Sequence, residues 1–119
     1  MDEILDKAAG LGVGGIILAY VIATTGLTGV YALTAALSAL GFGFGMVGGI
    51  VVLGIASMLS ALIAKKGIDY IACEITKRVV ANGTSKAAII KKLNEFPWKV
   101  VCSKSLRLKI KNDLEKMSV

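Results

Sequence analysis

Histidine is absent from this chain of 119 residues. Imidazole general bases, Ser-His-Asp triads, Cys-His dyads and ordinary zinc sites are absent with it. Only two cysteines occur, Cys73 and Cys102, and they form no CxxC pair. A metal cluster or a thioredoxin-like site is therefore not expected. One bridge at most is no disulfide framework, so a reducing or cytosolic setting is expected for the part that carries them. Charged residues make up 18% of the chain, against ~25% in an ordinary globular protein. Apolar residues reach 55% and mean hydropathy is +0.75, which excludes an intrinsically disordered chain.

The scarcity of charge is concentrated in one place. Residues 8–64 contain no Asp, Glu, Lys, Arg, Asn or Pro, an uncharged run of 57 residues. The segment before it holds Asp2, Glu3, Asp6 and Lys7. The segment after it, 65–119, carries 13 of the 14 basic residues and has a balance of +8. The chain thus divides into a short acidic N-terminal segment (1–10), a glycine-rich apolar core (11–64) and a basic tail (65–119).

A bilayer-crossing helix needs about 20 apolar residues. The uncharged run would be about 85 Å long as one helix at ~1.5 Å per residue, so it must fold back. Gly41-Phe42-Gly43-Phe44-Gly45 is the strongest turn signal, and Thr24-Thr25-Gly26-Leu27-Thr28-Gly29 is a weaker one. Three segments follow, near 11–24, 28–40 and 46–64. The last has a full span's length and ends at Lys65-Lys66, an interfacial stop. The first two form either one kinked span or two short helices packed as a re-entrant pair.

The expected fold class is all-α: a membrane helical hairpin turning near 41–45, then a three-helix basic tail. A small domain buries only ~60% of its unfolded surface, and a tail of this size is not expected to cover such a run. The acidic start and the length of the run do not fit a cleaved signal peptide. The tail's +8 balance should hold the C-terminus on the cytoplasmic side. Two spans then put the N-terminus there as well.

Small residues recur at helical spacing. Gly41, Gly45 and Gly49 form a small-xxx-small zipper, continued by Gly54, Ser57 and Ala61. Gly15, Ala19 and Ala23 line the first segment, and Ala32, Ala35, Ala36 and Ala39 the second. Such faces let helices approach closely in lipid. The favoured role is packing within the hairpin, with homo-oligomer formation as the alternative. Ile16, Ile17, Leu18, Ile50, Val51, Val52 and Leu53 are then expected to face lipid. Two G-x-G-x-x-G matches, at Gly10/Gly12/Gly15 and Gly43/Gly45/Gly48, lack the acidic residue ~20 positions on that dinucleotide binding requires. They read as turns and packing sites.

In the tail, the spacing predicts a helix over 68–81, ended by Asn82-Gly83, then one from Thr84 or Ser85 to about Phe96. A third starts near Ser103 or Ser105, with Leu106, Ile110, Leu114 and Met117 on one stripe. Lys104, Arg107, Lys109 and Lys111 flank that stripe. They are candidates, with Lys65 and Lys66, for an interfacial basic set on anionic lipid. The stripe itself either binds a membrane or partner surface or folds back to close a small helical cap. Asn82-Gly83-Thr84 is a glycosylation sequon that stays silent on the cytoplasmic side. Tyr70, Phe96 and Trp98 form no stacking ladder, so nucleic acid is not an expected partner. Asp69 and Cys73 are i,i+4, but no base activates the thiol, and Cys73 is expected to pack as a small apolar residue. Neither an enzyme nor a cofactor is expected.

The stretch Gly26-Leu27-Thr28-Gly29 … Ala35-Ala36-Leu37-Ser38-Ala39-Leu40-Gly41 … Gly45-Met46-Val47-Gly48-Gly49-Ile50 resembles the interferon-alpha-inducible 6/27-like family. In that family, too, a glycine-rich pair of apolar helices meets at a GG-containing turn. The resemblance covers about 25 residues and implies a membrane-associated, membrane-perturbing role. Three functions are therefore carried forward. The first is a self-associating membrane protein that permeabilises a bilayer, as toxins and defence effectors do. The second is a membrane-anchored adaptor whose basic tail binds a protein partner. The third is a chain whose apolar hairpin docks into a partner or inserts on a trigger.

Overall fold

The computed structural model describes residues 2–39, 46–95 and 98–117. The described residues form helices and no strands: α1 (Asp2–Ala9), α2 (Val13–Thr25), α3 (Leu27–Ala39), α4 (Met46–Lys66), α5 (Ile68–Ala81), α6 (Lys86–Leu93), α7 (Trp98–Val101) and α8 (Lys104–Lys116). The all-α expectation is met. Within the short acidic N-terminal segment, Asp2–Ala9 forms α1. Its Leu5, Ala8 and Ala9 are buried, and Glu3 and Lys7 pair across one turn at 3.4 Å.

The uncharged run folds as three helices. Of the two readings for its first half, the structure takes the pair of short helices. Gly26 has φ +72, the left-handed region that glycine enters without a Cβ clash. Its N–H still closes on the Ile22 carbonyl at 2.8 Å, and α3 then packs against α2. At the other end of α2, Gly12 has φ +65, and α1 meets α2 at a bend of 115°. Among the described residues no single helix is long and apolar enough to cross a membrane; the bent α1–α2 pair passes that test by length and composition together.

Helix α2 is the axis of the fold. Every residue from 13 to 22 is buried, and α1, α3, α4, α5, α6 and α8 all pack on it. This corrects the expectation that Ile16, Ile17, Leu18 and Val52 face lipid: all four are buried, while Leu53 is half-buried against the core. The side chains of Ile50 and Val51 lie outside the described residues. The tail is no separate unit either, because α5 packs on α1, α2 and α4. It offers Ile71, Ala72, Ile75, Thr76 and Val79, helix α6 offers Ile89 and Leu93, and α8 offers Ile110 and Leu114. Each set repeats at three or four residues, the one-faced pattern that buries a helix against a core. The radius of gyration, 12.9 Å, is near the roughly 13–14 Å of a folded chain this long.

Threonine hydroxyls of α2 and α5 bond back to the main chain, Thr76 among them fully buried. Thr24 Oγ1 donates to the Tyr20 carbonyl at 2.8 Å, Thr25 Oγ1 to that of Val21 at 2.9 Å, and Thr76 Oγ1 to that of Ala72 at 2.7 Å. Ser85 and Ser103 cap α6 and α8, accepting from the Ala88 and Leu106 amides at 3.2 Å each.

Two glycines should respond oppositely to alanine. A Cβ on Gly15 would overlap the Ala8 carbonyl, where α1 crosses α2, whereas a Cβ on Gly54 meets nothing within 4 Å. Gly15→Ala should cost about 1–3 kcal/mol through overpacking. Gly54→Ala should gain up to about 1 kcal/mol of helix propensity. Urea denaturation of the full chain, followed by circular dichroism, measures both.

Candidate functional site

The residues singled out from the sequence end up in three environments. Gly41 and Gly45 lie outside the described residues, and for Gly49 only the backbone within α4 is described. Gly54, Ser57 and Ala61 lie along one line of α4, and all three are exposed. The favoured reading, that this face packs inside the chain, is corrected here, because the line faces out. In the first segment Gly15 and Ala19 do pack inside, but Ala23 does not. In α3, Ala32, Ala35 and Ala39 are exposed and Ala36 half-buried.

Helices α3 and α4 share one property at their exposed positions. Helix α3 buries only the stripe Val30, Leu33 and Leu37, leaving Leu27, Thr28, Tyr31, Ala32, Ala35, Ser38 and Ala39 exposed. Helix α4 buries Val52, Ile55, Ala56 and Leu59, leaving Gly54, Ser57, Met58, Ala61 and Ala64 exposed ahead of Lys65 and Lys66. The two helices pack side by side. Neither helix exposes a charged side chain ahead of Lys65, whereas the surface of a soluble domain is ordinarily ~25–35% charged; Gly54 and Met58 also line an open cleft with Lys7 and Gly10. Large apolar groups stand on the two helices: Tyr31 is 59% exposed and Met58 49%. Ser57 turns its hydroxyl back to the Leu53 carbonyl at 3.1 Å, which removes a donor that hydrocarbon could not satisfy. Lys65 and Lys66 close the face at the C-terminus of α4, where the helix dipole favours cations.

The second environment is an open cleft of about 510 Å³ lined by Tyr20, Asp69, Cys73, Lys77, Asp113, Lys116 and Met117. Asp69 and Cys73 do come together here, joined by two residues that the sequence did not single out. Tyr20, only 1% exposed, donates its hydroxyl to Asp113 Oδ2 at 2.8 Å, and Lys109 Nζ holds the same oxygen at 3.3 Å. The Lys109 ammonium also sits 5.9 Å from the centre of the Tyr20 ring, within cation–π range. This is a structural tie between α2 and the last helix of the tail. Its partners are 93 residues apart, and nothing in the periodicity signals such a pairing. Cys73 is half-buried at the cleft; Cys102 is the thiol that packs as an apolar residue. Burial pushes the Cys102 thiol up to about 11, with the nearby Arg107 charge offsetting part of that rise.

The third environment is the basic set on α8. Ile110 and Leu114 of the predicted stripe are buried, and Leu106 and Met117 pack partly against the core. The structure therefore takes the fold-back reading, and the stripe is not a free binding surface. The flanking cations remain outside: Lys104, Lys109 and Lys111 are exposed and Arg107 is half-buried. Compared with protein-family models, curated proteins and solved structures, the chain matches none.

Two measurements check these placements. A thiol-disulfide reagent at neutral pH should modify Cys73 quickly and Cys102 only as the fold opens, so Cys73→Ala should abolish the fast phase. Tyr20→Phe should lower stability by about 1.5–3 kcal/mol, the range for a hydrogen bond to a charged group, as read by urea denaturation.

Proposed function

We propose that this protein acts on a lipid bilayer as a small membrane-perturbing helical bundle of the toxin or defence-effector kind. It meets the acyl region through the uncharged outer face of α3 and α4, and it releases the sealed helix α2 when it inserts. Inserted chains self-associate through the line Gly54, Ser57 and Ala61, where small side chains permit close helix approach. The basic tail stays at the cytoplasmic surface, held by its excess of Lys and Arg. This reading joins the membrane-protein and triggered-insertion functions drawn from the sequence, and a hairpin made of 11–40 and 46–64 is its inserted form.

The observation that carries the proposal is the absence of charge from the exposed positions of two adjoining helices, α3 and α4, ahead of Lys65. A second observation supports it: α2 is apolar all round, and a helix of that composition is stable only inside a protein or inside a membrane. The adaptor reading instead places the function on the exposed lysines of α8.

Lysine substitutions test the face. Ala35→Lys and Ala61→Lys add a charge at exposed positions, where the folded chain should change by no more than about 0.5 kcal/mol. In hydrocarbon each charge costs about 2.5–3.5 kcal/mol. Each variant should therefore lose at least about tenfold in dye release from liposomes, while Asn82→Lys, on an exposed position between α5 and α6, should not. Wild-type protein that releases no dye, or face variants that match it, would overturn the reading.

A further inference from the structure

We infer that the cleft between α6 and α8 is a binding site for a phosphate-type oxyanion, held by Arg107 with Lys104 and Lys111 at its margins. The cleft has a volume of about 140 Å³ and is lined by Asn94, Lys104, Arg107, Leu108 and Lys111. It has room for several waters and hence for one tetrahedral oxyanion. Three of its five lining residues are cationic, and none is acidic.

Carboxylates balance some of the chain's cations and leave others, Lys65, Lys66, Lys92, Lys99 and Lys116 among them, without a carboxylate partner among the described residues; at this cleft three unbalanced cations line one cavity. Lys7 pairs with Glu3, Lys77 with Glu74, Lys91 with Glu95 and Lys109 with Asp113, while Arg78 bridges Asp6 and Glu74. Lys86 donates to the Glu115 and Met117 carbonyls at the end of α8. Lys104, Arg107 and Lys111 have no carboxylate partner among the described residues. They step by three and four along α8, which places them on one face of the helix.

Arg107 supplies the second observation. Its Nη1 donates to Asn94 Oδ1 at 3.3 Å, so a neutral amide positions the guanidinium without neutralising it. Its Nε is shut off from solvent and has no hydrogen-bond acceptor. A cationic donor in that condition is costly; an oxyanion in the cleft would meet the guanidinium through its outer N–H groups. The guanidinium fork matches the paired oxygens of phosphate. Lys104 opens α8 directly after its Ser103 cap, at the positive end of the helix dipole.

A phosphate group reaches such a cleft either as a free anion or as an exposed lipid headgroup, and the experiment separates the two. Isotope-labelled full chain is titrated with inorganic phosphate, and with chloride at matched ionic strength. Phosphate alone should shift the Asn94 side-chain amide and the amides of Ser103, Lys104, Arg107 and Lys111. Arg107→Lys, which keeps the charge but loses the fork, should weaken phosphate binding by about tenfold. The double variant Lys104→Ala/Lys111→Ala, altered only at exposed positions, should weaken it several-fold and keeps the test open if Arg107→Lys does not fold.

Vesicles of phosphatidic acid, with its terminal phosphate, are then compared with charge-matched phosphatidylglycerol vesicles. A preference for phosphatidic acid that Arg107→Lys removes makes the headgroup the ligand. Localised shifts without that preference make it a free phosphate. Shifts equal in chloride, spread over all the lysines, or unchanged in both variants overturn the inference. None of these results depends on dye release, so this inference and the bilayer reading stand or fall separately.

Discussion

Enclosure of α2 is the constraint on which the rest of this structure depends. Ten consecutive residues with no exposed side chain leave that helix no solvent-facing side, so other helices must surround it. Each fully buried Ile or Leu contributes about 1.5–3 kcal/mol, and Ile16, Ile17 and Leu18 are among them. The bend at 10–12 brings α1 back over α2, with Gly15 under the Ala8 carbonyl. The break at Gly26 brings α3 back on a further side. The three amphipathic tail helices close the remainder, and Tyr20 and Asp113 tie the last of them to the axis.

The enclosing helices reach their limit at α3 and α4. Six helices around one axis cannot all be sheathed in turn by a chain this short, because surface falls more slowly than volume as a protein shrinks. Each of these two helices therefore buries one stripe on α2 and leaves the other side open. Since the uncharged run extends to 64, that open side carries no charge. The same shortage of residues that makes α2 difficult to enclose leaves uncharged side chains of α3 and α4 exposed.

Charge is confined to residues outside the uncharged run, and its signs are unequal. The chain has 14 basic and 8 acidic residues, so carboxylates cannot neutralise every cation. Those present join helices where they can: Asp6 of α1 reaches Arg78 of α5 at 2.8 Å, and Asp113 takes both Tyr20 and Lys109. The exposed ion pairs among these are worth little individually, ~0–1 kcal/mol, but they determine which cations are left unpaired. Part of the unpaired charge lies on α8, around a guanidinium oriented by Asn94.

Much of the helix map was legible in the sequence because local signals mark helix ends. The predicted 68–81 helix is α5, Gly26 separates α2 from α3, and Ser85 and Ser103 cap the helices that they were expected to cap, while the turn expected near 41–45 lies outside the described residues. The amphipathic helices also carried their own facing: Ile110 and Leu114 sit on the apolar side of α8, and that side is buried. What the stripe would be buried against was not legible, since a partner, a membrane and the rest of the chain all satisfy the same periodicity. For α2, α3 and α4 even the facing was hidden. A helix that is apolar all round has no preferred side in its own sequence, so Ile16 could be sealed and Ala61 exposed only by what packed around them. The candidate face was thus determined by sequence in its composition, which contains no charge. Its position and exposure were decided by tertiary packing, because only the count of neighbouring helices settles which apolar side chains lose contact with solvent.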